Sequence, residues 1–253
     1  MIYLDASNLN QIGDALAATP YILYLAEKHD GAKIVNGHCA WIRPILPPGI
    51  EFDAVLPEGA TAVFLDLHAV FRHCNITTKG LHFCQGWFDY YNAPVPELPV
   101  DLSLFSHYHI PERDYIVVSP FSYSDNDGNK LWPHERWIEL LCKLPPSYSI
   151  IVIGSSSYKD DWSLYQNRGY ELFKDRQAVD ILALLRTCRL FLSTDAGPSH
   201  LAHFGGISRH LLLAPACLPE TFVCNPRGRH IYGWPRDITV DRVAEIAKEM
   251  LNG

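Results

Sequence analysis

The chain has no run of about 18 apolar residues, the minimum for a helix that crosses a bilayer, so no membrane span is expected. Its N-terminus lacks a basic stretch leading into an apolar one, which argues against a secretory signal and for a cytoplasmic setting. Basic clusters are also missing. Residues 1–110 hold 5 Lys/Arg against 11 Asp/Glu, and residues 111–253 hold 16 against 17, so the halves carry about −6 and −1. Nucleic acids and anionic lipids are recognised by dense positive charge. No nucleic-acid partner is therefore expected, and membrane contact is at most peripheral. The 7 cysteines are odd in number and follow no framework spacing, as free thiols in a reducing compartment do. His73-Cys74 and His82-Phe83-Cys84 match no zinc-site spacing, and no metal is expected. Internal repeats and low-complexity tracts are absent.

What is present suits a soluble α/β enzyme. Of the 253 residues 48% are hydrophobic and 12% aromatic, enough to fill sizeable cores. Strands are expected at 2–6, 32–36, 52–56, 62–66, 115–119, 149–153, 189–193, 210–214 and near 230. Helices are expected at 14–29, 68–74, 82–91, 134–144, 179–187, 199–204 and 240–251. Alternation at this spacing predicts parallel sheets with helical crossovers. The segment Ala93-Pro-Val-Pro-Glu-Leu-Pro99 disfavours both helix and central strand and reads as a linker. It divides the chain into Rossmann-like lobes of unequal size, 1–108 and 109–253. In the last helix Val240, Val243, Ile246, Ala247, Met250 and Leu251 form an apolar stripe that needs a partner surface.

The stretch Phe191-Leu-Ser-Thr-Asp-Ala-Gly-Pro-Ser-His-Leu-Ala-His-Phe-Gly-Gly206 carries the strongest functional signal. It begins as a buried strand, breaks at Thr194-Asp195-Ala196-Gly197-Pro198, and restarts as a helix at Ser199-His200. Pro198 suits a first helical turn, where its missing N–H is not needed. Gly197 lets backbone approach a ligand closely. The helix start offers amide donors and a partial positive charge to an anion. Asp195 falls at the carboxyl end of a strand, where open α/β sheets keep their ligands. A diphosphate cradle fits these features. An ordinary turn with a capping Asp fits them too.

Near the N-terminus, Ile2-Tyr-Leu-Asp-Ala6 reads as a strand, and Gly13-Asp14 opens a helix. In the middle, Ile116-Val-Val-Ser-Pro-Phe121 runs into a polar loop and then Lys130-Leu-Trp-Pro133. Gly-Asp, Lys before Trp-Pro, and Asp-x-Gly-x-x-His-Leu-Ala, in that order, resemble the family 9 glycosyltransferases, whose best-known members are ADP-heptose:lipopolysaccharide heptosyltransferases. The resemblance is good over 110–215, moderate over the first 30 residues and poor over 35–108.

The resemblance implies two Rossmann-like lobes in the GT-B arrangement, with a central cleft and here a shortened first lobe. The last helix is expected to pack back across that lobe. The implied reaction is an inverting, metal-independent transfer of a sugar, heptose in the best-known members, from a nucleotide-diphosphate donor to a glycan or other hydroxyl acceptor in surface-glycan synthesis. No cofactor is implied beyond this co-substrate, and an oligomer is compatible. Asp14 is the expected base, with helix capping as its structural alternative. Donor contacts are expected from Ser119, Ser122, Lys130, Thr194, Asp195, Ala196, Gly197, Ser199 and His200. Gly13, Trp41 and Trp87 are weaker candidates for the acceptor side or cleft; core packing explains the tryptophans as well. One departure is plain: the segment Ile153-Gly-Ser-Ser-Ser-Tyr-Lys-Asp160 lacks the early acid with which the family reads a ribose. A non-catalytic nucleotide or nucleotide-sugar binder, or a nucleotide-sugar epimerase or hydrolase, remains open as an alternative.

Overall fold

The structure is a computed structural model and describes residues 1–37, 40–46, 50–76, 81–104, 113–122, 131–157, 162–215 and 224–253. The first sheet contains β1 (Ile2–Ala6), β2 (Ala32–Gly37), β3 (Ile50–Glu51) and β4 (Val63–Phe64), in the order β3-β2-β1-β4. Helices α1 (Ile12–Lys28), α2 (Leu67–Ile76) and α3 (Phe83–Tyr90) accompany it. The second sheet contains β5 (Tyr115–Ser119), β6 (Ser149–Gly154), β7 (Glu171–Lys174), β8 (Leu190–Thr194), β9 (His210–Pro215) and β10 (Arg229–Gly233). Its order is β10-β9-β8-β5-β6-β7, and its helices are α4 (His134–Lys143), α5 (Ser163–Gln166), α6 (Ala178–Thr187), α7 (Gly197–Phe204) and α8 (Val240–Asn252). All strand pairs run parallel. β5 and β8 are buried along their full length, as strands covered on both faces must be.

The second sheet has the doubly wound order of dinucleotide-binding folds, with its reversal between β5 and β8. Crossovers leave that pair in opposite directions, so a crevice opens at the strands' carboxyl ends. The first sheet repeats the pattern with four strands and reverses between β1 and β4. Its short edges account for the smaller lobe. Ser122 Oγ reaches the Asp195 carbonyl across the second reversal at 3.5 Å.

The lobes share apolar packing. Leu4, Leu16, Ile22 and Trp87 of the first lobe belong to one buried cluster with Leu182, Leu201 and Phe204 of the second. At the heart of this contact the start of α1 meets the start of α7. A methyl group added at Gly197 would lie 1.9 Å from Ile12 Cγ2, and one added at Gly13 would lie 2.7 Å from the His200 ring. The connecting segment is tied down as well: Leu102 N donates to Phe204 O at 3.3 Å, and Arg186 donates to Leu104 O. The expected boundary at 108/109 lies outside the described residues.

Three expectations need correction. Residues 52–56 do not form a strand; the regular ladder ends at Glu51, Asp53 turns the backbone to φ +57, and only Ala54 N still donates to β2, at Ile34 O, 3.0 Å. The sequence reading missed β7 and α5, because Glu171-Leu-Phe-Lys174 is a short, half-polar edge strand and α5 has only four residues. Among the described residues the last helix packs on the second lobe. In α8, Val240, Val243, Ala244 and Ala247 are buried in the second lobe's own core with Ile138 and Leu141 of α4, and Lys143 pairs with Asp241 at 2.6 Å. The narrow stripe is satisfied there, while Arg242, Glu245, Lys248 and Glu249 keep the opposite face polar.

The glycine contact generates a test. Gly197→Ala forces a methyl against Ile12 and should destabilise the protein by about 1–3 kcal/mol, the usual range for overpacking. Adding Ile12→Ala to Gly197→Ala should recover most of that loss in urea unfolding. A neutral Gly197→Ala would show that the two helices are not held this close.

Candidate functional site

Two helix starts face one another across the lobes. α1 begins at Ile12, and Asp14 lies in its first turn, half-buried. α7 begins at Gly197 after Ala196, whose extended backbone (φ −153, ψ 176) turns the chain out of β8. Gly13 lies against the His200 imidazole, so the expected base and the expected donor turn belong to one neighbourhood. Each helix start contributes a partial positive charge. Together they favour an anion between the lobes.

The residues expected to contact a donor divide by burial. Thr194 is fully buried, Asp195 and Ala196 are 8% exposed, and Gly197 and His200 are half-exposed. Ser119 and Ser122 end β5 and the turn after it, both buried beside the same reversal. Ser199 is different. It is fully buried, its amide donates to Ala196 O at 2.9 Å, and its hydroxyl donates to Thr194 O at 2.9 Å. Ser199 therefore builds the turn rather than presenting a donor to a ligand, and the amides heading the helix are those of Ala196 and Gly197.

A buried polar chain fixes this turn. Asn225 Nδ2 donates to Ile207 O at 2.9 Å and contacts His210 Nδ1 at 3.0 Å. His210 Nδ1 is thus the acceptor, and its Nε2–H donates to Ser193 Oγ at 2.6 Å. The Ser193 hydroxyl then turns to Ser199 Oγ at 2.8 Å. Serine, histidine and amide stand in the sequence of a nucleophile, base and orienting group. All are fully buried, so no substrate reaches them, and the chain is structural. Burial pushes the His210 pKa down to about 3. The neutral ring is what the hydrogen-bond order requires.

Other expected residues fall elsewhere. Lys130 lies outside the described residues. Trp41 sits in a 3-10 helix, Ala40–Ile45, and its side chain is also outside them. Trp87 is fully buried in α3, its ring stacked with Tyr91 at 6.3 Å, so it is core and not an acceptor surface. The sugar-stacking alternative fails because the ring's faces are already packed. The loop after β6, which lacks the early acid, receives one from just beyond β7. Asp175 accepts from Ser156 N and Ser155 Oγ, each at 2.9 Å, and the Ser156 bond leads in lowering its pKa.

Sequence reasoning missed Cys224. Its thiol is 1% exposed and donates to the Asp195 carboxylate. One ligand atom each from Asp195, His200 and Cys224 lie within 4.8 Å of one another, the only such trio of His, Cys, Asp or Glu among the described residues. Nothing in the spacing of 29 residues between Asp195 and Cys224 signals the contact. The rejected cysteine–histidine group is spoken for differently: His73 pairs with Asp89 at 2.7 Å, and His82 Nδ1 lies 3.0 Å from Cys84 Sγ.

Two facing Rossmann-like lobes with helix starts at both reversals define the GT-B class of glycosyltransferase folds. The sequence profile of glycosyltransferase family 9 (heptosyltransferase) matches residues 60–203, more than half of the chain, and the protein belongs to that family. Solved structures share the fold at low identity. The iron-containing dodecameric glycosyltransferase TibC of enterotoxigenic E. coli is 20% identical with a TM-score of 0.67, over 90% of this chain and 61% of TibC. The chain thus spans less than two thirds of TibC's length. E. coli heptosyltransferase WaaC, solved with ADP, is 13% identical with a TM-score of 0.70, over 99% and 100% of the two chains. The family 9 glycosyl transferase of Veillonella parvula is 14% identical with a TM-score of 0.71, over 99% and 97%. No curated protein matches the chain significantly.

The buried histidines set a pH dependence. Above the ordinary histidine value near 6.5 both folded and unfolded chains are neutral at these rings. Below it the unfolded chain takes up protons that buried His210, and His203 likewise, refuse, so stability falls as pH drops from about 6.5 toward 3. Urea midpoints measured from about pH 8 to about pH 5 should decline, and His210→Gln should flatten that decline. A pH-independent midpoint would mean that these rings do not stay neutral in the fold.

Proposed function

We propose that this protein is an inverting glycosyltransferase that moves a sugar of the heptose class from a nucleoside-diphosphate donor to an acceptor hydroxyl in glycan assembly. The observation that carries this reading is the meeting of Gly13-Asp14 with Gly197–His200 across the two lobes of a family 9 chain. An adenosine diphosphate donor is favoured because WaaC was solved with ADP and TibC with ADP-D-beta-D-heptose.

The diphosphate is read as lying at the start of α7, on the Ala196 and Gly197 amides, with Lys130 as a further positive charge. As the glycosidic bond breaks, negative charge grows on the leaving diphosphate oxygen, and fixed backbone dipoles meet it without reorganising. Asp14, facing from the other lobe, takes the acceptor hydroxyl proton while that oxygen attacks the anomeric carbon from the opposite side, which inverts it. Asp195 and His200 contact the sugar or diphosphate, and Asp175 is the acid best placed to read a ribose beyond β6. The acceptor is a glycan or other hydroxyl compound held by 1–108, and the nucleotide half is held by 109–253. Metal independence is not part of this reading, because Asp195, His200 and Cys224 gather three metal-binding atoms at the same turn. The chemistry suits a cytoplasmic protein that draws on a nucleotide-sugar pool. Among the described residues no helix is long and apolar enough to cross a membrane.

Asp14→Asn separates transfer from mere binding. Asp14 lies in the first turn of α1, whose cap position is Gln11, so Asn keeps its size and forgoes only a charge–dipole contribution of about 0.3–1 kcal/mol. ADP affinity should hold while turnover of a matched donor and acceptor falls by roughly 10²–10⁴-fold. The donor is first found by thermal shift against ADP-, GDP-, UDP- and CDP-sugars, where a ligand at about 100 times its Kd stabilises by roughly 2.7 kcal/mol. Near-full transfer by Asp14→Asn removes this residue as base. Donor binding with no transfer by the native protein favours the non-catalytic binder.

A further inference from the structure

We propose that Asp195, His200 and Cys224 form a site for a thiophilic divalent cation of the zinc or ferrous iron class, with a fourth position left for an oxygen ligand. The carboxylate, imidazole and thiol come from the end of β8, the first turns of α7 and the segment ahead of β10, and their ligand atoms lie within 4.8 Å of one another. Around a tetrahedral zinc ion, with bonds near 2.0–2.3 Å, ligand atoms stand roughly 3.3–3.5 Å apart.

The surroundings hold these groups in place. Gly13 backs the His200 ring. Asn225, next to Cys224 in the chain, is anchored to Ile207 O and His210 Nδ1. Asp195 is 8% exposed and Cys224 1% exposed, so the ion would be shielded from water on the protein side. Sulfur and imidazole nitrogen select zinc, iron or cobalt over magnesium and calcium, which take oxygen cages. Three protein ligands and one open position is the pattern of reactive rather than purely structural sites.

Charge gives the site a use. A buried carboxylate repels a diphosphate beside it. A dication bound by one carboxylate and one thiolate forms a neutral unit, and its open position accepts a diphosphate oxygen. Binding converts the Cys224 thiol to a thiolate and releases one proton per ion, so uptake strengthens as pH rises. The cation site stands on the three ligands alone. Its engagement of a diphosphate rests on the function proposed above.

The test uses the full chain, stripped with EDTA and titrated with Co²⁺ as a spectroscopic probe. One cobalt per chain should bind, with a thiolate-to-cobalt charge-transfer band in the near ultraviolet and tetrahedral d–d bands in the visible, and Zn²⁺ should displace it. Cys224→Ser and His200→Ala should each lose the charge-transfer or tetrahedral signature while keeping the native circular dichroism. Cys142→Ser, at an exposed cysteine, should retain both. No stoichiometric band, or a band that survives Cys224→Ser, overturns the site. If Cys224→Ser fails to fold, the half-exposed His200→Ala decides alone. ADP titrated by calorimetry into cobalt-loaded and metal-free protein separates the two readings. About tenfold tighter binding to the loaded form supports diphosphate ligation, and equal affinity overturns it. Absence of ADP binding to either form overturns the donor reading and leaves the cobalt result to judge the cation site.

Discussion

The approach of α1 to α7 depends on two absent side chains, those of Gly13 and Gly197. Ile12 occupies the space a Cβ at position 197 would need, and the His200 ring occupies the space at position 13. With both positions bare, two helix N-termini come into contact, and their partial positive charges add instead of being dispersed. The rest of the candidate site follows from this closeness. Asp14 lies one residue from Gly13 and so falls in the neighbourhood of the turn at 194–200, and the His200 ring packs against the bare Gly13.

The donor turn has a second requirement, which is neutrality beneath it. Asn225, His210, Ser193 and Ser199 pass hydrogen bonds in one direction to the Thr194 carbonyl. Such a chain works only if every member is satisfied and none is charged. The depressed His210 pKa meets the second condition. The turn therefore rests on a polar core with no net charge, and Asp195, His200 and Asp14 belong to the candidate site beside it.

Much of the fold could be read from the sequence because the central strands of the second sheet are buried, predominantly apolar runs. β5 and β8 announce themselves as Tyr115-Ile-Val-Val-Ser and Leu190-Phe-Leu-Ser-Thr. β7 did not, since an edge strand shows little hydrophobic signal. The turn at 194–200 was legible because strand, acid, Gly-Pro and helix lie consecutively. Cys224 was not, because its contact with Asp195 closes through tertiary packing. The aromatic residues of the first lobe misled in part: a tryptophan suited to stacking a sugar suits a core equally, and burial alone separates the two for Trp87. The stripe on α8 correctly demanded an apolar partner but could not say which of two available surfaces would supply it.

The apolar cluster beneath the site contains Leu182, Leu201 and Phe204 alongside Leu4, Leu16 and Trp87. This bears on how such proteins can be recombined. A chimera cut at the linker, joining the acceptor half of one relative to the nucleotide half of another, would leave α6 and α7 with an apolar face shaped for a different neighbour. The unit that can be exchanged is therefore not the lobe but the lobe together with the helices on which it rests.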